Sequence, residues 1–120
     1  MDTLYDLFRA GTALLEAGDY HAATIPLARA RDLSPESSSI REALGRALFR
    51  SGRFSEAAGE FEAVAERHPT NDFALFCLGR SLQMLGRHRE ACRPLALACC
   101  LSPRRHDYRV YRDRARLAAA

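Results

Sequence analysis

Four cysteines and four histidines are the side chains of this 120-residue chain best suited to hold a metal or attack a substrate, and neither set is spaced to do so. Cys77, Cys92, Cys99 and Cys100 contain no C-x-x-C pair and no cysteine–histidine spacing of the zinc-finger type, so no metal is expected. The adjacent Cys99 and Cys100 could close only a strained vicinal disulfide, and reduced thiols filling small core sites fit all four better. His21, His68, His88 and His106 are scattered, with no serine, cysteine or carboxylate at the spacing of a catalytic pair. They are assigned structural or surface roles. With no phosphate-binding loop, nucleophile elbow or paired-carboxylate pocket, the chain is expected to be no enzyme and to need no cofactor.

The remaining chemistry is that of binding. All 18 basic residues are arginine, which suggests a GC-rich, bacterial-type coding sequence and lowers the weight that arginine content alone can carry. Their placement is uneven: residues 1–79 hold 8 arginines against 12 acids (net −4), and residues 80–120 hold 10 against 3 (net +7). Such a basic end is either a solvated terminal helix or a surface for an acidic partner. In the second case Arg104, Arg105, Arg109, Arg112, Arg114 and Arg116 would contact phosphates while Tyr108 and Tyr111 stacked on bases.

The elements that must position these groups emerge from the chain's self-similarity. "AGTALLEAGDYHAA" (10–23), "LGRALFRSGRFSEA" (44–57) and "LGRSLQMLGRHREA" (78–91) follow one another at intervals of 34 residues. Columns at that period include Gly11, Gly45 and Gly79; Leu14, Leu48 and Leu82; Gly18, Gly52 and Gly86; Ala23, Ala57 and Ala91; Leu27, Phe61 and Leu95; Pro35, Pro69 and Pro103. Such a period marks stacked supersecondary units. Leu75, Leu78, Leu82 and Leu85, spaced three, four and three apart, form one apolar stripe on a helix. Gly86 and its equivalents follow that stripe, where a left-handed residue ends a helix, so each unit breaks into two helices. The prolines end the second helix, and the small residues at 79 and 91 allow the two helices to approach closely. The expected fold class is all-α: a right-handed α-solenoid of three antiparallel helix hairpins with the first helices lining a concave face. Tyr108, Tyr111, Ala115 and Ala118 repeat the three, four, three spacing and predict a seventh, capping helix over about 104–119, with Asp113 where the repeats carry glycine. Its arginines then serve to solvate an end on which nothing further stacks.

On these residues the chain resembles the tetratricopeptide repeat proteins, whose 34-residue unit fits residues 4–105 without insertion. The units are about 4–37, 38–71 and 72–105, within a single domain spanning 1–120. Leu7, Ala10, Gly11, Leu14, Ala23, Leu27, Ala30 and Pro35 match in the first; Leu44, Gly45, Leu48, Ala57, Phe61 and Pro69 in the second; Leu75, Leu78, Gly79, Leu82, Ala91, Leu95, Ala98 and Pro103 in the third. The chain departs from the pattern at Arg41, where a large apolar residue is usual, and at Val64, where alanine is. Pro26 and Pro94 inside second helices each remove a backbone donor and are expected to bend or weaken them, as is Gly59 in the middle unit.

The resemblance implies that a peptide lies along the first helices. The candidate groove residues are Tyr5, Phe8, Arg9, Thr12 and Leu15; Arg46, Phe49 and Arg50; and Phe73, Phe76, Cys77, Arg80, Gln83 and Met84. Aromatic and arginine side chains dominate binding energy at interfaces, so the implied guest is a protein or peptide with acidic and apolar residues. Family members that clamp chaperone C-terminal carboxylates use lysine, asparagine and arginine at positions that here are Phe8, Thr12, Ala43, Phe73 and Cys77, none of which can make charge-assisted bonds. The leading expectation is a non-catalytic adaptor or scaffold, with the nucleic-acid reading of the basic helix as the alternative and self-association through an exposed end as a third. No stretch reaches the length of a membrane span, and "MDTLYDLFRAG" lacks the basic start of a secretory signal, so a cytoplasmic location and no membrane partner are expected.

Overall fold

The computed structural model describes residues 3–120. Among them the regular structure is seven α-helices: α1 (Leu4–Glu16), α2 (Tyr20–Leu33), α3 (Ser38–Arg50), α4 (Phe54–Arg67), α5 (Asp72–Met84), α6 (His88–Leu101) and α7 (His106–Ala119). The boundaries of α1, α3 and α5 recur at the 34-residue period without a shift, as do those of α2, α4 and α6. The family-like hairpin pattern is therefore present through all three repeats, and the seventh helix falls where a fourth first helix would begin.

Local chemistry sets those boundaries. Thr3, Ser37 and Asn71, one period apart, each accept a hydrogen bond from the backbone N–H three residues on, satisfying a donor at the starts of α1, α3 and α5. Thr3 and Asp6 complete a reciprocal capping box. Arg105, in the same column, caps α7 without a side-chain bond. At the hairpin turns Gly86 has φ of 77°, and Gly18 and Gly52 share its conformation at 84° and 80°. That left-handed residue turns the chain so that the next N–H reaches back: Asp19, Arg53 and Arg87 donate to the carbonyls of Leu14, Leu48 and Leu82, each at 2.9 Å. Pro26 and Pro94 lie within α2 and α6, which continue through them as single helices.

The chain divides into two compact units, Met1–Glu60 and Phe61–Ala120, with the boundary inside α4. In the first, α1 pairs with α2 and α2 with α3. Gly11 permits the closest approach: a Cβ there would lie 2.4 Å from Leu27 Cγ. Leu7, Ala30 and Ile40 form a cluster with Phe8 packed on it. The departure at Arg41 is absorbed by Glu60, which is only 8% exposed and accepts from Arg31 Nη1 at 2.7 Å and Arg41 Nη1 at 2.9 Å. Arg41 Nε also donates to the Pro35 carbonyl at 2.6 Å.

In the second unit α5 pairs with α6 and α6 with α7. Gly79 repeats the role of Gly11, since a Cβ there would lie 2.4 Å from Leu95 Cγ. Leu82, Ala91, Leu95 and Ala115 form one cluster, and Leu75, Ala98, Cys99 and Tyr108 another. Both clusters take a residue from α7. Tyr108 and Ala115 are completely buried and Tyr111 is half-buried, so the stripe marked by the spacing packs along these three residues, while Ala118 at its end is exposed. Arg109 Nη1 bonds the Pro103 carbonyl at 2.6 Å, as Arg41, two periods earlier, bonds that of Pro35. Of the cysteines, only Cys99 lies fully in the core: Cys77 and Cys92 are half-buried and Cys100 is exposed, so the expectation of core thiols holds for Cys99 and not for Cys100.

Candidate functional site

The candidate groove residues fall on both units. In the first, Tyr5 is 68% exposed and Arg46 is exposed, so both present their side chains outward. Phe8 is half-buried against the Leu7, Ala30 and Ile40 cluster, and the Thr12 hydroxyl donates to its carbonyl at 2.9 Å. Leu15 is buried in the core of its hairpin and has no surface to offer a guest. Phe49 is half-buried and meets Phe54 edge-on, 5.1 Å between ring centres, while the Arg50 guanidinium lies 4.5 Å over the Tyr20 ring.

In the second unit the first-helix face of α5 meets α7. Phe76 stacks on Tyr108 at 4.5 Å and meets Tyr111 edge-on at 5.7 Å. It is a wedge between helices and an unsuitable free anchor. Gln83 Nε2 donates to the Tyr111 carbonyl at 2.9 Å. Arg80 Nη1 donates to Gln83 Oε1 at 2.9 Å, and its guanidinium lies 3.9 Å over the Tyr111 ring. Arg114 approaches the same ring at 5.1 Å. Burial, and then the charge of Arg114, hold Arg80 below the ordinary arginine range, with Tyr111 and Cys77 opposing. Phe73 keeps 37% of its surface exposed.

A second polar centre fixes α7 in place. Asp72 Oδ2 accepts from Ser102 Oγ at 2.8 Å and from the Tyr108 hydroxyl at 3.0 Å, joining α5, the end of α6 and α7. Burial raises the Asp72 carboxyl, but the bonds from Ser102, Tyr108 and its own backbone, with Arg105 nearby, bring it below the usual range. Burial and then the Asp72 bond and charge push the Tyr108 phenol well above its usual value.

The arginines proposed for phosphate contact are largely engaged. Arg105 pairs with Asp107 at 2.8 Å and lies 4.3 Å over Tyr108; Arg109 bonds the Pro103 carbonyl; Arg112 pairs with Asp113 at 3.1 Å. Arg104 and Arg116 are exposed. Among the described residues no group of three or more His, Cys, Asp or Glu side chains is placed to hold a metal ion, and no helix is long and apolar enough to cross a membrane.

The tetratricopeptide repeat model TPR_16 matches residues 8–72 and 43–98. The chain belongs to the tetratricopeptide repeat family. Superkiller complex protein 3 is 30% identical in Mus musculus and 29% in Homo sapiens, each over 83 residues. That aligned stretch is 69% of this chain and only 5% of those long proteins. Among solved structures, the first tetratricopeptide repeat domain of Spaghetti (RPAP3), bound to the HSP90 peptide SRMEEVD, superposes with a TM-score of 0.89 at 17% identity, over 97% of this chain and 92% of that one. MamA MSR-1 gives 0.87 at 24% identity over 95% and 66%, and the Sgt2 domain from Aspergillus fumigatus 0.84 at 16% over 95% and 77%. These likenesses establish the fold.

Within the repeat frame, sequence reasoning passed over two contributors. Tyr111 and Arg114 are assigned from the sequence to a cap or to nucleic acid, yet the Tyr111 ring lies under Arg80 and Arg114 approaches that same ring. The signal was present: Thr12, Arg46, Arg80 and Arg114 form one column at the 34-residue period. Glu60 was equally hidden, because its arginine partners lie 29 and 19 residues before it.

Proposed function

We propose that this tetratricopeptide repeat chain is a non-catalytic adaptor that holds a peptide segment of a protein partner against the first helices of its hairpins. The carrying observation is that Tyr5 and Phe73, large apolar side chains on the first helices of their repeats, remain 68% and 37% exposed. Neighbouring positions supply arginine, the composition in which aromatic anchors and directed polar contacts coexist. The RPAP3 neighbour is bound to a peptide rich in acidic residues, and this supports a peptide guest on the same fold. The guest here combines acidic and apolar residues but is read by other side chains, since Phe8, Thr12, Ala43, Phe73 and Cys77 occupy the clamp positions. A cytoplasmic site of action fits such an adaptor.

The test is selection of binders from a phage-displayed random peptide library on the full chain. Enriched sequences should carry acidic and apolar residues, and their binding should fall at least roughly tenfold with Tyr5→Ala and Phe73→Ala combined, an effect expected for interface anchors. Tyr5 lies mostly outside the core, so Tyr5→Ala alone should change melting little, and it separates lost binding from any loss of the partly covered Phe73 packing. Enriched peptides that bind the double variant as well as wild type would remove these faces from the account. RNA binding that weakens steeply with salt and is lost on neutralising Arg104 and Arg116 would favour the alternative.

A further inference from the structure

We infer that the outward face of α6 is a docking surface for a second copy of this chain, whose α4 lies antiparallel on it with Glu66 against Arg89 and Glu62 against Arg93. The contact goes beyond the adaptor reading, since it uses second helices and leaves the first helices to a guest.

Arg89, Arg93, Leu97 and Leu101 follow one another on α6 at four-residue steps, and all four are exposed. The leucines keep 40% and 41% of their surface. Neither arginine makes a hydrogen bond or ion pair among the described residues. The face therefore presents two available guanidiniums ahead of an apolar ridge. It is poorly suited to cover itself. Two such faces set parallel would put arginine on arginine, and set antiparallel with leucine on leucine they would leave all four arginines without an acid. What completes it is a helix carrying carboxylates at the same four-residue step, with little bulk where the leucines land.

The chain itself carries such a helix. Glu62 and Glu66 of α4 are exposed, stand four residues apart, and make no hydrogen bond or ion pair among the described residues. Four residues rise about 6 Å on either helix, so both arginine–glutamate pairs close in one antiparallel register. In that register Leu97 comes over Gly59 of the second copy and Leu101 over Ser55. Gly59 has no positive φ, and a Cβ added there would meet nothing within 4 Å. Neither torsion nor packing inside the chain accounts for glycine, a residue unfavourable in a helix interior. Seating Leu97 close to the α4 backbone does. Phosphate could answer the arginines but would leave both leucines uncovered. The two faces differ, so the contact is heterologous, and each pair of copies still carries one free α4 and one free α6.

Sedimentation velocity of the full chain reads the association, with a reductant present so that the exposed Cys100 forms no disulfide. A contact of one helix on another is smaller than a standard interface, so a dissociation constant of about 10–500 μM is expected. The mean mass of wild type should rise with concentration across that range at low salt, and fall back in about 0.5 M salt, which screens exposed ion pairs. Arg89→Glu with Arg93→Glu, and separately Glu62→Arg with Glu66→Arg, should each weaken association roughly tenfold or more, because like charges then oppose one another. All four positions are exposed, so both chains fold. Mixed in equal amounts, the two variants should associate as wild type does, since the reversed faces match again. Gly59→Gln should also weaken association while circular dichroism shows its helices intact. A wild type that stays monomeric across the range would overturn the proposal. So would undiminished association of either charge variant alone, or a mixture of the two that stays monomeric.

Discussion

At the scale of single residues, two glycines inside helices have opposite duties because their surroundings differ. Gly79 is required by packing, since the added methyl of Gly79→Ala would press on Leu95 Cγ, a branch carbon fixed in the core. Gly59 in α4 is exposed and an added Cβ meets nothing within 4 Å. Urea unfolding should therefore show Gly79→Ala destabilised by about 1–3 kcal/mol and Gly59→Ala stabilised by about 0.5–1 kcal/mol. A stabilised Gly79→Ala would mean that the hairpin opens at little cost. The glycine columns were legible because close approach admits few residue types. The Arg31–Glu60–Arg41 cluster was not, because arginine and glutamate in a helix read as surface residues until folding brings three helices together.

At the scale of elements, the docking of α7 is the most exposed to chemistry. Asp72 is ionised more readily folded than unfolded, so below the unfolded value near 3.8 the folded chain binds fewer protons and stability falls as pH drops. Tyr108 is held neutral, so stability is present below the ordinary tyrosine value and is lost as pH rises above about 10. Stability measured against pH should lose part of its acid slope in Asp72→Asn, while Asp107, held low by its bond to Arg105, and Glu56, held low by its bond to Arg53, keep a further part. Asp72→Ala, which leaves the buried Tyr108 hydroxyl without its acceptor, should cost about 1–3 kcal/mol in denaturant unfolding at neutral pH. An unchanged acid slope together with an unchanged midpoint would show that the Asp72 bonds do not hold α7. The existence and limits of α7 could be read from its spacing, since tyrosine and alanine at three and four marked one face. The bond from Tyr108 to Asp72 could not, because it spans 36 residues and two helices.

At the scale of the whole molecule, the substantial helix contacts inside each unit join elements one or two apart in the chain. Little loop-closure entropy must be lost before contacts form, so refolding from denaturant should be complete in milliseconds or less. Stopped-flow circular dichroism checks this, and a dominant phase of seconds would contradict it. Charge is also divided unevenly between the two units, though less sharply than between residues 1–79 and 80–120: residues 1–60 carry 7 arginines and 9 acids (net −2), residues 61–120 carry 11 and 6 (net +5). The division into compact units within α4 left no mark in the sequence, because the period runs through residues 60 and 61 without interruption.

The turns between paired helices carry a consequence about handedness. At Gly18, Gly52 and Gly86 a side chain of ordinary chirality would find nothing within 4 Å, so space does not reserve these places; backbone torsion does. Torsions that are strained for an L-residue are relaxed for its mirror image. Chemical synthesis could place D-alanine at each turn, narrowing the unfolded ensemble while keeping the native bend, and the chain's most permissive residues would become its most stereospecific ones.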